Sequence, residues 1–210
     1  MTWIAVTRLY RRIAPAWALL ALLSPAVDGS AAEVPSYRVS RGEVRIVCPL
    51  TVGGMFETKT TSISGTVGVG DGTPAVLSGE LSVDLSTLDT GIELRNTHLR
   101  DKYLEIGRGA EFATAVLSGV RLDKGGTSSF RGQTAFTGTL LLHGVRRPVA
   151  GQADIRSEGN DVRVLASFPL HIDDYGIAAP RYLGVGVKNE VQVKISLLVT
   201  PAPAGAEGAR

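Results

Sequence analysis

The feature that most constrains this chain is a two-residue alternation of apolar and polar side chains that recurs through the sequence after its first thirty or so residues. Leu81, Val83 and Leu85 alternate with Ser82 and Asp84, while Val162, Val164, Ala166 and Phe168 alternate with Arg163, Leu165 and Ser167. Val191, Val193, Ile195, Leu197 and Val199 do the same against Gln192, Lys194, Ser196 and Leu198. Phe136, Leu140 and Leu142 set against Thr137, Thr139 and His143 make a further run, with Gly138 thinning its inward face. Successive strand side chains point to opposite faces, so these runs are strands with one buried and one wetter side. Turn sequences at Asp71-Gly72, Lys124-Gly125-Gly126, Gly144 to Pro148 and Glu158-Gly159-Asn160 separate them at hairpin intervals. The expected fold is all-β, with about eight antiparallel strands, a number that closes into a barrel just wide enough for one small ligand. An open sandwich uses the same pattern, and alternation alone does not separate the two.

Residues 1–32 stand outside this pattern and read as an export signal. Arg8, Arg11 and Arg12 form a basic start, Ile13 to Val27 is an apolar run broken by Pro15 and Pro25, and Ser30-Ala31-Ala32 offers small residues for cleavage. The run is too short for a comfortable membrane span, and Ile13-Ala14-Pro15 after the paired arginines favours ordinary secretion over the twin-arginine route. The expected location is the periplasm, with no stable membrane span after cleavage. Those three arginines and Asp28 account for the whole formal charge of +2, leaving residues 33–210 neutral. A nucleic-acid partner needs clustered lysine and arginine to displace counterions, so none is expected. The one cysteine, Cys48, has no partner for an intramolecular disulfide and alternates with Val44 and Ile46, as a small buried residue does. One domain spanning residues 33–199 buries roughly 70% of its unfolded surface and needs no staples. The segment 200–210, rich in Pro and Ala, has no apolar period and is expected to be a disordered tail.

One polar segment interrupts the sheet pattern between Ser86 and Glu105. Thr90-Gly91-Ile92-Glu93 fits a capping box, and a helix starting there places Ile92, Leu99 and Tyr103 near one face. Glu93 then sits at the positive end of the helix dipole and Arg100 and Lys102 near the negative end, before Gly107 and Gly109 stop it. A short helix of this kind suits the closure of one barrel end.

A search for catalytic chemistry yields little. No Gly-x-Ser-x-Gly elbow occurs, and His98, His143 and His171 lie far apart with no second ligand at metal-binding spacing, so no catalytic residue, metal or cofactor is assigned. Gly68-Val69-Gly70-Asp71-Gly72 is followed by Pro74 and opens no helix, which makes it a hairpin turn and not a phosphate loop. Asp173 and Asp174, between His171 and Tyr175-Gly176, fit a turn stabilised by side chains at a strand end.

Two segments read together carry a resemblance: Leu88-Asp89-Thr90-Gly91-Ile92-Glu93-Leu94-Arg95-Asn96-Thr97-His98-Leu99-Arg100 and Leu140-Leu141-Leu142-His143-Gly144-Val145-Arg146-Arg147-Pro148-Val149. They resemble the signature of the YceI-like family of exported, lipocalin-like proteins, and the resemblance continues through Asp174-Tyr175-Gly176-Ile177 to the last strand. It implies an elongated antiparallel lipocalin-like barrel of about eight strands, whose tunnel holds a long apolar chain such as a polyisoprenoid, a prenylated quinone precursor or a fatty amide. The sequence departs from the family where Asp-x-x-His-Ser commonly follows the first tyrosine; here Tyr37 is followed by Arg38-Val39-Ser40-Arg41-Gly42-Glu43. Candidate apolar lining residues are Leu81, Val83, Phe136, Leu140, Leu142, Val164, Phe168, Val193 and Ile195, and candidates for a head-group contact or lid are Arg95, His98, Arg100 and His143. The expected partner is an isoprenoid or other long-chain lipid, and a homodimer is the candidate oligomer. Two rival readings stay open: an enzyme acting on an amphiphile with His98 or His143 as acid and base, and a filled barrel serving as a stress-response or assembly partner.

Overall fold

A computed structural model describes residues 34–70, 72–125, 130–182 and 184–202. The expected signal segment and residues 203–210 of the expected tail lie outside them. Eleven strands appear among the described residues: β1 (Ser36–Pro49), β2 (Met55–Thr60), β3 (Ile63–Val69), β4 (Ala75–Asp84), β5 (Thr114–Leu122), β6 (Gly132–Leu142), β7 (Val145–Glu158), β8 (Asp161–His171), β9 (Arg181–Tyr182), β10 (Val185–Gly186) and β11 (Glu190–Pro201). Eight of them form a closed antiparallel barrel in the order β1, β3, β4, β5, β6, β7, β8, β11, with β11 returning to β1. Closure removes every exposed edge from these eight, which the open sandwich cannot do. The remaining three are peripheral: β2 extends the sheet beside β1, and β9 with β10 makes a small ribbon.

Strand β1 carries two neighbours on one edge. Ser36–Arg38 pair with β3, whereas Val44–Pro49 pair with β2. Its other edge follows β11 from Tyr37, opposite Pro201, to Val47, opposite Gln192, with one bulge between Val39 and Arg41. Strand β11 therefore runs two residues past the expected boundary at 199, with Thr200 opposite Arg38.

The inward faces follow the alternation. Phe136, Leu140 and Leu142 on β6, Val162, Phe168 and Leu170 on β8, and Val191, Val193, Leu197 and Val199 on β11 are buried, while Leu165 points outward. Gly151 on β7 faces Phe136 across the ladder. A Cβ there would lie 2.2 Å from the Ser167 carbonyl oxygen and within 3 Å of both Phe136 and Phe168, so only glycine lets those rings approach. The rings meet edge to face with centroids 6.1 Å apart.

The turn between β6 and β7 is His143-Gly144, not Gly144 to Pro148; Val145–Pro148 already belong to β7. Both turn residues are left-handed, at φ 52° and 74°, as a two-residue hairpin of matching twist requires. Asp173 and Asp174 lie in a single helical turn, Ile172–Tyr175, braced by Asn189, which donates to the Asp173 carboxylate and accepts from the Asp173 amide.

The polar segment after β4 is helical in pieces. A short turn at Leu85–Thr87 leads to α1 (Glu93–His98), a wider π-type turn at Leu99–Tyr103, a turn at Ile106–Arg108 and α2 (Ala110–Ala113). The expected capping box does not form, because Ile92 is the N-cap and carries no side-chain cap bond. The Thr90 amide and hydroxyl both donate to Asn96 Oδ1, at 2.8 and 2.7 Å, and Glu93 instead pairs with Arg100 at 2.8 Å. Asn96 Nδ2 donates to Asp89 at 2.9 Å, and the same carboxylate oxygen accepts from the Gly91 amide at 2.8 Å. One buried amide side chain thus ties the loop to the first helical turn, a role the sequence pattern assigned to Glu93. Ile92 is exposed, while Leu99 and Tyr103 are half-buried against the core and Leu104 is buried. The helical run ends at Glu105, which is left-handed at φ 50°, before either expected glycine stop.

Cys48 is buried on β1. Burial pushes its thiol up to about 12, with nearby Arg95 acting in the opposite direction. At pH 8 about one thiol in ten thousand is then ionised, so iodoacetamide is expected to leave the native protein unmodified and to add once after denaturation. Rapid native alkylation, read by intact mass, would contradict the burial.

Candidate ligand tunnel

The barrel encloses two apolar chambers. The wider, with a cavity volume of about 140 Å³, lies among the strand ends remote from the helical insert and is walled by Val67, Leu77, Leu122, Phe136, Ile155 and Val199 among others. The narrower, about 70 Å³, runs beneath Leu85 and Leu88 at the start of the insert, among Val44, Ile63, Leu142 and Leu170. Leu81, Leu117 and Ile195 border both, so the chambers meet there. The Phe136 ring stands on the wider side and the Phe168 ring on the narrower, making a waist above Gly151.

All nine sequence-derived lining candidates border these chambers: Phe136 and Val164 the wider one, Val83, Leu140, Leu142, Phe168 and Val193 the narrower, and Leu81 and Ile195 both. Sequence reasoning missed the contributions of β3 and β5, namely Val67, Val69, Leu117, Val120 and Leu122. In β5 the alternation is broken by a register shift between Ser118 and Arg121, where Gly119 is left-handed at φ 60°. The bulge moves Val120 onto the same side as Leu117 and Leu122, so a strict two-residue rule loses the strand. Val67 and Val69 alternate correctly but stand in a glycine-rich run that reads as turn.

None of the four head-group candidates is among the lining residues. Arg95 stacks over the Phe56 ring at 4.5 Å, Arg100 is engaged by Glu93, and His98 is exposed on α1. His143 is buried in its hairpin, where Nδ1 donates to the Tyr175 carbonyl at 2.9 Å and Nε2 lies 3.2 Å from the Glu105 carboxylate. Phe112 packs edge-on against the imidazole at 4.7 Å, and the Arg108 guanidinium lies over the Phe112 ring at 4.3 Å. Arg108 holds the Glu105 carboxyl below its ordinary range by a hydrogen bond, with His143 adding to the effect. The cluster fastens the helical insert to the β6–β7 turn. His98 and His143 therefore occupy different settings, one exposed and one buried in its hairpin, and neither is among the residues that line the chambers.

Polar groups at the chamber walls are few. The wider chamber has one charged residue, Arg131, and one hydroxyl, Tyr37, among its described lining, and the narrower chamber has neither. Tyr175, the most buried large side chain, carries a hydroxyl with no hydrogen-bond partner among the described residues, and burial raises its pKa. No cluster of metal-ligating side chains and no helix long and apolar enough to cross a membrane occurs among the described residues.

Comparison with known proteins agrees with this architecture. Solved structures similar to the chain include BcnA from Burkholderia cenocepacia, 17% identical with a TM-score of 0.60, the match covering 76% of this chain and 96% of that one. A polyisoprenoid-binding domain from Saccharophagus degradans, implicated in plant cell wall breakdown, is 16% identical with a TM-score of 0.59, covering 79% of this chain and 98% of that one. No curated protein matches the chain by sequence. Residues 37–199 match the model of the YceI-like domain, a stretch that runs from the first barrel strand to the last, and the chain belongs to that family.

Proposed function

We propose that this protein is a periplasmic carrier that encloses a single long apolar chain, of the isoprenoid or acyl type, and keeps it from water. The observation that carries the reading is the pair of adjoining chambers inside a closed barrel, walled almost wholly by aliphatic and aromatic side chains. Burying even ~400 Å² of such a chain at ~25 cal/mol/Å² yields roughly 10 kcal/mol before association costs, whereas an exposed ion pair adds about 0–1 kcal/mol. Apolar fit therefore sets affinity. The polyisoprenoid-binding character of the Saccharophagus domain supports an isoprenoid as one such cargo. The basic, apolar and small-residue order of residues 8–32 supports export.

The cavity also bounds the cargo. At roughly 10–15 Å³ of such space per water-sized group, chambers of about 140 and 70 Å³ hold on the order of fifteen methylene-sized groups. A farnesyl or palmitoyl chain fits inside; a much longer one must trail out. Native mass spectrometry of the protein released from its own cell envelope is expected to show one such lipid per chain. Folded protein that carries nothing apolar and takes up no chain of this length would remove the proposal.

A further inference from the structure

We infer that the tunnel is a ruler graduated in isoprene units: the wider chamber takes two, the waist at Phe136 and Phe168 passes the hydrocarbon end, and the narrower chamber takes one more and stops the chain. The inference rests on the tunnel reading above and names how the tunnel selects the length and direction of its cargo.

Direction follows from where the lining meets solvent. At the strand ends remote from the helical insert, Tyr37, Val69, Leu77 and Phe130 border the wider chamber and are half-buried, within reach of water. At the other end Leu85, Leu88, Leu142 and Leu170 border the narrower chamber and are all buried. Leu85 and Leu88 belong to the start of the insert, which Asn96 ties to its own loop and Glu105 to the β6–β7 turn, so that end is blind. The described walls of the narrower chamber carry no polar side chain. A head group pushed there would lose its water and find no partner, so the chain enters tail first through the wider end.

Length follows from volume. At the same roughly 10–15 Å³ per methylene-sized group, about 140 Å³ holds about ten carbons and about 70 Å³ about five, which are two isoprene units and one. The waist separates the two counts. Leu81, Leu117, Phe136, Phe168 and Ile195 come from β4, β5, β6, β8 and β11, with Gly151 of β7 against the two rings, so six successive strands frame the passage. The Phe168 side chain takes up space at the narrower chamber, whereas Ala115 of β5, which lines the same chamber, leaves space there. Changes at these two positions therefore move the capacity in opposite directions.

Titration calorimetry on the full protein with geraniol, farnesol and geranylgeraniol, which differ by one isoprene unit each, tests the ruler. Burying one methylene is worth up to about four-fold in affinity, so five carbons have a ceiling of ~1000-fold; farnesol is expected to bind about 100-fold tighter than geraniol, because the waist also fixes the chain's rotamers. The fourth unit stays outside, and geranylgeraniol is expected within about three-fold of farnesol. Ala115→Phe is expected to fill the narrower chamber and bring farnesol down to the affinity of geraniol, with geraniol itself changed by less than about two-fold. Phe168→Leu is expected to enlarge that chamber and raise geranylgeraniol about five-fold above farnesol. A substitution that only loosened the fold would weaken all three alcohols alike. Affinity that climbs by the same factor through the fourth unit, equal binding of geraniol and farnesol by the wild type, or variants whose length profiles run parallel to the wild type's overturn the ruler and leave the tunnel standing. Failure of all three alcohols to bind the wild type overturns both.

Discussion

Ala166→Trp is expected to reduce the uptake of a farnesyl or palmitoyl chain by about 100-fold. Ala166 lines the wider chamber on β8, opposite Ile195 of β11 and Ala153 of β7. An indole entering the chamber there takes the place of on the order of 100 Å² of ligand contact, which at ~25–30 cal/mol/Å² accounts for about 2.5–3 kcal/mol and hence the fold-change. The protein should keep its thermal stability, because the side chain fills existing space instead of displacing packed neighbours. The adjacent Leu165→Trp supplies the control: Leu165 is 39% exposed on the outer face, and its replacement should leave affinity within about two-fold. Titration calorimetry with a C15 or C16 probe reads both. Equal binding by the wild type and Ala166→Trp would mean that the chain does not occupy this chamber.

Asn96→Ala is expected to cost about 3 kcal/mol and to lower the melting temperature by about 6–12 °C for a domain of this size. The side chain is buried, at 6% exposure, and makes three hydrogen bonds that no neighbour can replace. Its loss strands the Thr90 amide and removes the strongest of the influences that hold the Asp89 carboxyl below its ordinary range. Asn96→Asp separates shape from chemistry. It keeps the size but sets a second carboxylate against Asp89, so at pH 7 it should destabilise at least as much and recover partly in acid, as one carboxyl takes up a proton. Calorimetric melts at pH 7 and pH 4.5 check the pair; an Asn96→Ala variant as stable as the wild type would show that the loop does not depend on this network.

The barrel was legible because its strands obey a rule with a physical cause. Each inward position must be apolar whether the interior is hollow or packed, so β6, β8 and β11 declared both their existence and their facing. The lining of those strands followed from the same rule. Strand β5 did not, because Gly119 shifts the register within the strand and the shift depends on partners far away in sequence. The helical insert was located but misassigned in detail: Thr90 and Glu93 have capping-box spacing, yet Asn96 lies within reach of the same amide once the loop folds back, and Glu93 turns to Arg100.

Closure also imposes an order on how this molecule is made. The seam is the pairing of β1 with β11, which brings Tyr37 to Pro201 across nearly the whole of the domain's sequence. Every other ladder of the barrel joins strands that are close in the chain or separated only by the helical insert or the β9–β10 segment. The hairpins from β5 to β8 can therefore assemble early from local contacts, while the cylinder cannot exist until the twelve residues of β11 have arrived. Until then β1 and β8 each present a bare edge and the apolar interior stands open. The moment of greatest exposure to aggregation, and to any chaperone that guards against it, falls at the very end of folding.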